Sequence, residues 1–146
     1  MASAMAVGFG RPVNCADPVP GRAQQLVDRL GGAAAASNAE VVEASDVIFL
    51  CHKPGQLGDV ASGLDAAGKQ IVSILGGVPL ADLRAAYPSA TVHRIMPSLP
   101  VEIGQGVVVV ASDGETSTGS DVLSLLEALG PVVELPESQV DAAMHL

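Results

Sequence analysis

Asp46-Val47-Ile48-Phe49-Leu50-Cys51-His52-Lys53-Pro54-Gly55 is the stretch that decides the fold. Val47 to Cys51 is apolar at every position, so it has no polar face, and it is too short for a helix. A strand covered on both sides reads this way. The run stops at His52-Lys53, and Pro54 suits the first position of a helix. These ten residues spell a buried strand, a polar turn at its carboxyl end and a helix start.

The same unit recurs on either side. Strands are expected at Pro12–Ala16, Asp46–Cys51, Lys69–Leu75, Thr91–Met96 and Gly106–Ala111, with a shorter sixth, Pro131–Leu135, at an edge. Helices are expected at Pro20–Leu30, Ala39–Ala44, Pro54–Ala67, Pro79–Ala86 and Ser117–Leu129. In the first, Ala23, Leu26, Val27 and Leu30 fall on one face, and Gly31-Gly32 ends it. Asn38 is the expected cap of the second. Strands alternating with helices imply right-handed crossovers and a mainly parallel sheet with helices on both faces. The fold class is α/β, Rossmann-like and doubly wound, in a single domain.

Length and composition agree. A chain of 146 residues allows one domain, and 49% hydrophobic against 16% charged residues excludes disorder. Sixteen acidic against seven basic residues give a net charge of -9, which leaves no basic surface for nucleic acid or an anionic membrane. Apolar runs of five residues are far below the ~20 needed to span a bilayer. Cys15 and Cys51 are too few for a disulfide scaffold and fit a reducing compartment, so a cytoplasmic location is expected. Three histidines and two cysteines without ligand spacing predict no metal site.

The two ends are less regular. Met1–Phe9 reads as the tail of a helix that starts without a cap, and Glu137–Leu146 as one that begins after Pro136 and stops with the chain. The expectation is a dinucleotide-binding domain over residues 1–136, with 137–146 opening a helix toward a further domain. The fold is thus expected to be truncated at both ends.

Doubly wound sheets bind ligands beyond the carboxyl ends of their strands, so the residues just after each run are the candidates. Lys53 at such an end suits a hydroxyl, phosphate or carboxylate, and equally suits a solvated loop. His52 reads as a proton donor or a surface residue, and Cys51 as a small core residue rather than a nucleophile. Gly76-Gly77 allows close approach of a flat ligand, although a tight turn before Pro79 explains it better. Met96 to Gly106 holds two prolines and two glycines, a stiffened loop where a substrate would lie. Asp17 closes the first strand, where an acidic residue meets the adenosine ribose in dinucleotide folds, or simply makes a turn with Pro18. Gly8-Phe9-Gly10 precedes a strand instead of following one and lacks a third glycine, so it is no phosphate loop.

Several segments together resemble the pyrroline-5-carboxylate reductase family. His52-Lys53-Pro54 matches its valine-lysine-proline, and Ser73-Ile74-Leu75-Gly76-Gly77-Val78 its serine-isoleucine-alanine-alanine-glycine-valine. Arg94-Ile95-Met96-Pro97-Ser98-Leu99-Pro100 matches arginine-x-methionine-proline-asparagine-threonine-proline, and Gly104-Gln105-Gly106 the following glycine-x-glycine. The resemblance implies hydride transfer from NADPH or NADH to the cyclic imine 1-pyrroline-5-carboxylate, giving L-proline. It implies that Ala16 and Asp17 sit near the adenine ribose and Asn38 on the adenosine side. It further implies His52 and Lys53 at the nicotinamide ribose, Gly76 close to the nicotinamide and substrate, Cys51, Pro54 and Gly77 among the cofactor-binding residues, and Met96, Pro97, Ser98 and Pro100 in the substrate loop. Ser98 and Leu99 depart from the family's asparagine and threonine. Its first strand with the glycine-rich loop, and its C-terminal helical domain, have no counterpart in the sequence; a homo-oligomer is expected only with that domain.

Two expectations follow. Without the family's central first strand, the chain is marginally stable, or the strands Pro12–Ala16 and Asp46–Cys51 pair directly. Rival readings are another reductase of this build, such as an F420-dependent NADP oxidoreductase or a β-hydroxyacid dehydrogenase, and a catalytically inactive relic or binding module.

Overall fold

Consecutive apolar residues in a strand are explained where its two faces meet two separate cores. The computed structural model describes residues 1–143, and in it Ile71 and Val72 are both fully buried. Ile71 packs with Ile48, Leu50, Leu75, Leu83, Val92 and Val140 on one face. Val72 packs with Met5, Ile95, Val108, Val110, Val122 and Leu126 on the other. Each face therefore removes branched side chains from water, which is the main stabilising term for a sheet of this kind.

In chain order the elements are α1 (Ala2–Phe9), β1 (Val13–Cys15), α2 (Arg22–Leu30), β2 (Gly32–Ala34), α3 (Asn38–Glu43) and β3 (Val47–Leu50). A 3-10 turn (Pro54–Gln56) leads to α4 (Leu57–Ala61), β4 (Gln70–Ser73), α5 (Leu80–Ala86) and β5 (Thr91–Pro97). A 3-10 helix (Leu99–Ile103) then precedes β6 (Val108–Ser112), α6 (Ser120–Glu127), β7 (Val132–Pro136) and α7 (Glu137–Ala143). Five strands form one sheet in the order β3-β4-β5-β6-β7, with β7 at the expected edge. All its pairs are parallel except β5 with β6, where Ile95 faces Val110 and Pro97 faces Val108. That connection is too short for the crossover a parallel pair requires, so the chain turns back on itself.

β1 and β2 form a second, two-stranded parallel sheet, with Val13 opposite Gly32 and Cys15 opposite Ala34. The direct pairing of β1 with β3 is not formed: the two sheets carry separate hydrogen-bond ladders. The helical layers nevertheless run across the break. On one face, Phe9 of α1 lies against Phe49 of β3, ring centroids 5.1 Å apart. On the other, α3 touches β1 while its Val42 is buried with Ile48 and Leu50 of β3. Between Val7 and Val41 no residue is buried, so this first unit adds little to the core.

Other expectations need correction. β2 was not expected, because Gly32-Ala33-Ala34 has no strand-favouring side chain; it forms by pairing with β1. The helix expected over Pro54–Ala67 is only the 3-10 turn and the five residues of α4. Gly58 and Gly63 weaken it, and the Asp65 carboxylate takes the Ala67 N–H into a turn (3.1 Å). The cap of α3 is Ser37, whose hydroxyl accepts the Glu40 N–H at 3.2 Å, and Asn38 is the first helical residue. The helix from Glu137 is described as far as Ala143; the rest of the range expected for it, 144–146, lies outside the described residues.

Candidate functional site

The carboxyl ends of β1, β3 and β4 and the loop before α3 hold most of the candidate residues. At β3 the chain leaves the sheet through Cys51 and turns at His52. The His52 Nδ1 lies 2.9 Å from the Lys53 carbonyl oxygen, which assigns the ring proton to Nδ1. Nε2 is left with a lone pair, buried and without a partner. A buried acceptor in this state costs free energy until a donor reaches it. His52 therefore presents a buried acceptor just past the end of β3.

Lys53 and Pro54 are exposed, and the Lys53 N–H donates to Gln56 Oε1 at 3.0 Å, which fixes the turn into α4. Cys51 counts as exposed over the whole residue, yet burial pushes its thiol up to about 11. The thiol itself decides the chemistry, so Cys51 is protonated at neutral pH and is no nucleophile. The N-terminal ammonium acts on the same thiol in the opposite, lowering direction.

A cleft of about 380 Å³ lies between the start of α3 and α4, lined by Ser37, Asn38, Gln56, Asp59, Val60 and Leu64 among others. Asn38 thus faces the same cleft as the turn that follows Lys53. Ser37 and Gln56, which sequence reasoning passed over, line it too. Ser37-Asn38-Ala39-Glu40 carries the Ser-x-x-Glu pattern of a capping box, a signal that was available. Glu40 Oε2 takes the Ala36 N–H at 3.0 Å and so holds that loop.

Ala16 and Asp17 are half-buried just past β1. Asp17 Oδ1 accepts the Val19 N–H at 2.8 Å, and Oδ2 lies 3.7 Å from Arg22 Nη1. Gly76 and Gly77 form an exposed turn, and Gly77 has φ of 72°, so the tight-turn explanation accounts for it.

Met96 and Pro97 are the last residues of β5, and Pro100 opens the 3-10 helix that follows. Ser98 is turned back toward β6: its hydroxyl accepts the Val107 N–H at 2.8 Å, and its own N–H donates to the Val107 carbonyl. Leu99 and Ile103 are 82% and 70% exposed on that helix, while Val101 between them is fully buried. Beneath this loop is a group that sequence reasoning did not single out. Arg94 is 5% exposed and pairs with Glu137 and Asp141 of α7.

The residues at the strand ends suit the two nucleoside portions of a dinucleotide: an unsatisfied acceptor at His52, a mainly apolar cleft with Ser37 and Asn38 on its wall, and a fixed carboxylate at Asp17. No metal-ligating cluster occurs among the described residues. No helix among them is long and apolar enough to cross a membrane.

Comparison with known proteins gives the chain's family and fold. A family model described as NADP oxidoreductase, coenzyme F420-dependent, matches residues 1–77. The pyrroline-5-carboxylate reductase of Methanosarcina acetivorans is 33% identical over 130 residues, covering 84% of this chain and 48% of the relative. The chain spans about half the length of the curated relatives it matches. Among solved structures, the pyrroline-5-carboxylate reductase of Coxiella burnetii superposes with a TM-score of 0.84 over 99% of this chain and 59% of that one, at 19% identity. The Plasmodium falciparum pyrroline carboxylate reductase with NADP bound gives 0.81 over 97% and 56%, at 21% identity. At those identities the likeness establishes the Rossmann-like fold. By the family match and by this fold, the chain belongs to the family of NADP oxidoreductases described as coenzyme F420-dependent, with pyrroline-5-carboxylate reductases as its similar curated relatives.

Proposed function

We propose that this chain is the dinucleotide-holding part of a pyrroline-5-carboxylate reductase-like enzyme, which reduces a cyclic imine, 1-pyrroline-5-carboxylate, to L-proline. The observation that carries the reading is the buried, unpartnered His52 Nε2 just past the carboxyl end of β3. The printed names of the curated relatives supply the substrate class. NADPH or NADH, when bound, would supply the hydride and leave as NADP or NAD, the imine nitrogen takes a proton from solvent, and the protein's task is orientation. His52 Nε2 accepts a hydrogen bond from a hydroxyl of the nicotinamide ribose, with Cys51, Lys53 and Pro54 beside it. Ala16 and Asp17 hold the adenosine ribose, and Asn38 lines the adenosine cleft. Gly76 and Gly77 lie toward the nicotinamide, and Met96, Pro97, Ser98 and Pro100 toward the imine. No side-chain nucleophile is needed, in keeping with the protonated Cys51 thiol.

The division of the chain belongs to the same proposal: residues 1–136 bind the dinucleotide, and the helix from Glu137 leads toward a further domain through which a homo-oligomer would form. A cytoplasmic location belongs to it as well. Titration of the chain with NADH, followed by nicotinamide emission, tests the reading without interference, since the sequence has no Trp. Saturable binding that His52→Ala weakens by about three- to tenfold, the worth of one hydrogen bond, supports it. Absence of saturable binding refutes it in favour of a non-catalytic binding module.

A second reading rests on Leu99 and Ile103, whose exposure leaves an apolar surface on the substrate loop. It is a reductase of the same build that takes a more apolar imine. A panel of cyclic imines with and without a carboxylate separates the two.

A further inference from the structure

The geometry points to Asp17 and Arg22 as the pair that sets which dinucleotide this chain prefers, and we infer that it selects NADH over NADPH. The inference rests on the proposed dinucleotide site and deepens it. Asp17 stands two residues beyond the end of β1, where a doubly wound sheet receives the adenosine ribose. Its carboxylate is fixed twice, by the Val19 N–H on Oδ1 (2.8 Å) and by Arg22 Nη1 3.7 Å from Oδ2. Its side chain is 28% exposed against 63% for Arg22. The carboxylate is therefore the held member of the pair and the guanidinium the mobile one.

A carboxylate oxygen has two lone pairs, so each Asp17 oxygen retains an acceptor site beside the contact it already makes. Two adjacent ribose hydroxyls are donors that match those sites. A 2′-phosphate removes one donor and brings roughly two negative charges against a carboxylate that cannot move away. The one cation at hand, Arg22, is already neutralised by Asp17. Arg29, farther along α2, lies 3.8 Å from Glu102. The site thus favours two neutral hydroxyls and repels a phosphate. The matching family model is described as that of NADP oxidoreductases, so this preference is set by the chain's own residues.

The test is parallel titration of the unmodified chain with NADH and NADPH, followed by nicotinamide emission. NADH is expected to bind about tenfold or more tightly, roughly what one poorly matched charge contact is worth. Asp17→Ser keeps a hydroxyl to accept the Val19 N–H while removing the charge, and Asp17→Asn keeps the shape. Both are expected to move the affinity ratio toward NADPH by about fivefold or more with an unchanged melting temperature. Arg22→Ala leaves the Asp17 charge uncompensated and is expected to weaken NADPH more than NADH, so that the affinity ratio moves further toward NADH. NADPH binding as tightly as NADH overturns the inference, as does a ratio that neither Asp17 variant moves. Absence of binding by either dinucleotide overturns the proposed function, and the inference with it.

Discussion

Arg94 in β5 and Glu137 at the start of α7, 43 positions apart, meet inside the protein with Nη1 3.4 Å from Oε1. The same Glu137 oxygen accepts the Leu80 N–H at the start of α5, at 2.6 Å. One carboxylate oxygen therefore ties a central strand to the starts of two helices, and Asp141 holds the other guanidinium nitrogen. A buried guanidinium is tolerated only while its partners remain. Glu137→Ala leaves Arg94 with the half-exposed Asp141 and orphans the Leu80 amide. The expected cost is about 2–3 kcal/mol, read as a lower denaturation midpoint at unchanged slope. Glu137→Gln keeps an acceptor for Leu80 and is expected to lose less than half of that.

Gly8 is the second position whose change has a calculable consequence. A β-carbon there would stand 2.2 Å from the Val101 carbonyl oxygen and 2.7 Å from the Leu129 side chain. Gly8 is what lets α1 lie directly on the 3-10 helix Leu99–Ile103. Gly8→Ala is expected to destabilise by about 1–3 kcal/mol, although alanine is the better helix former. The loop should shift as well, seen as chemical-shift changes at Val101 and Ser98. An unchanged melting temperature would contradict this packing.

How much of this was legible depended on what each residue does. Val47–Leu50 and Gln70–Ser73 announce themselves because burial on both faces demands unbroken apolar residues, and they fixed the α/β class. Gly32-Ala33-Ala34 carries no such mark, since a strand of small, exposed residues is made by its neighbour's hydrogen bonds. The constrained loop between β5 and β6 was legible from its prolines and glycines. The engagement of Ser98 with Val107 was not, because it depends on β5 and β6 running antiparallel. Arg94 stood in a recognised motif, but its partner 43 residues away belongs to tertiary structure alone. Asp17 was legible as a residue type at a strand end, and its tether to Arg22 only in three dimensions.

The first unit of the fold should open before the rest. β1, α2 and β2 contribute no buried residue, and both β1 and β3 carry an edge without a ladder partner. Local opening free energy follows the apolar contacts that must be broken. Amides of Val13–Ala34 are expected to exchange with deuterium well before those of Gln70–Ser73 and Thr91–Ile95, whose side chains lie in the two cores. Uniform protection over both regions would mean that the β1–β2 unit is held by more than the contacts seen here.

Stability should fall with acid in two separate windows. His93 is buried on β5, with Nε2 2.7 Å from Gln70 Oε1, and burial lowers its tendency to take a proton below the ordinary value of 6.5, against a smaller opposing pull from Asp121. The unfolded chain then binds a proton that the folded chain refuses. Stability is full above about pH 6.5 and declines as pH drops below it, until the folded imidazole itself titrates. The Asp113 carboxyl is held below its ordinary 3.8, first by the hydrogen bond from Arg84 at 2.5 Å and then by the Glu115 N–H. Its contribution is present above that value and is lost only as pH falls further, and it is small because the pair is partly solvated. Denaturation midpoints measured from pH 7.5 to 5.5 should therefore drop in the wild-type chain and stay level in His93→Asn. Asp113→Asn should follow the wild-type slope over that interval and differ from it only below about pH 4. A wild-type midpoint that is flat from pH 7.5 to 5.5 would show that His93 takes its proton in the folded chain as readily as in the unfolded one.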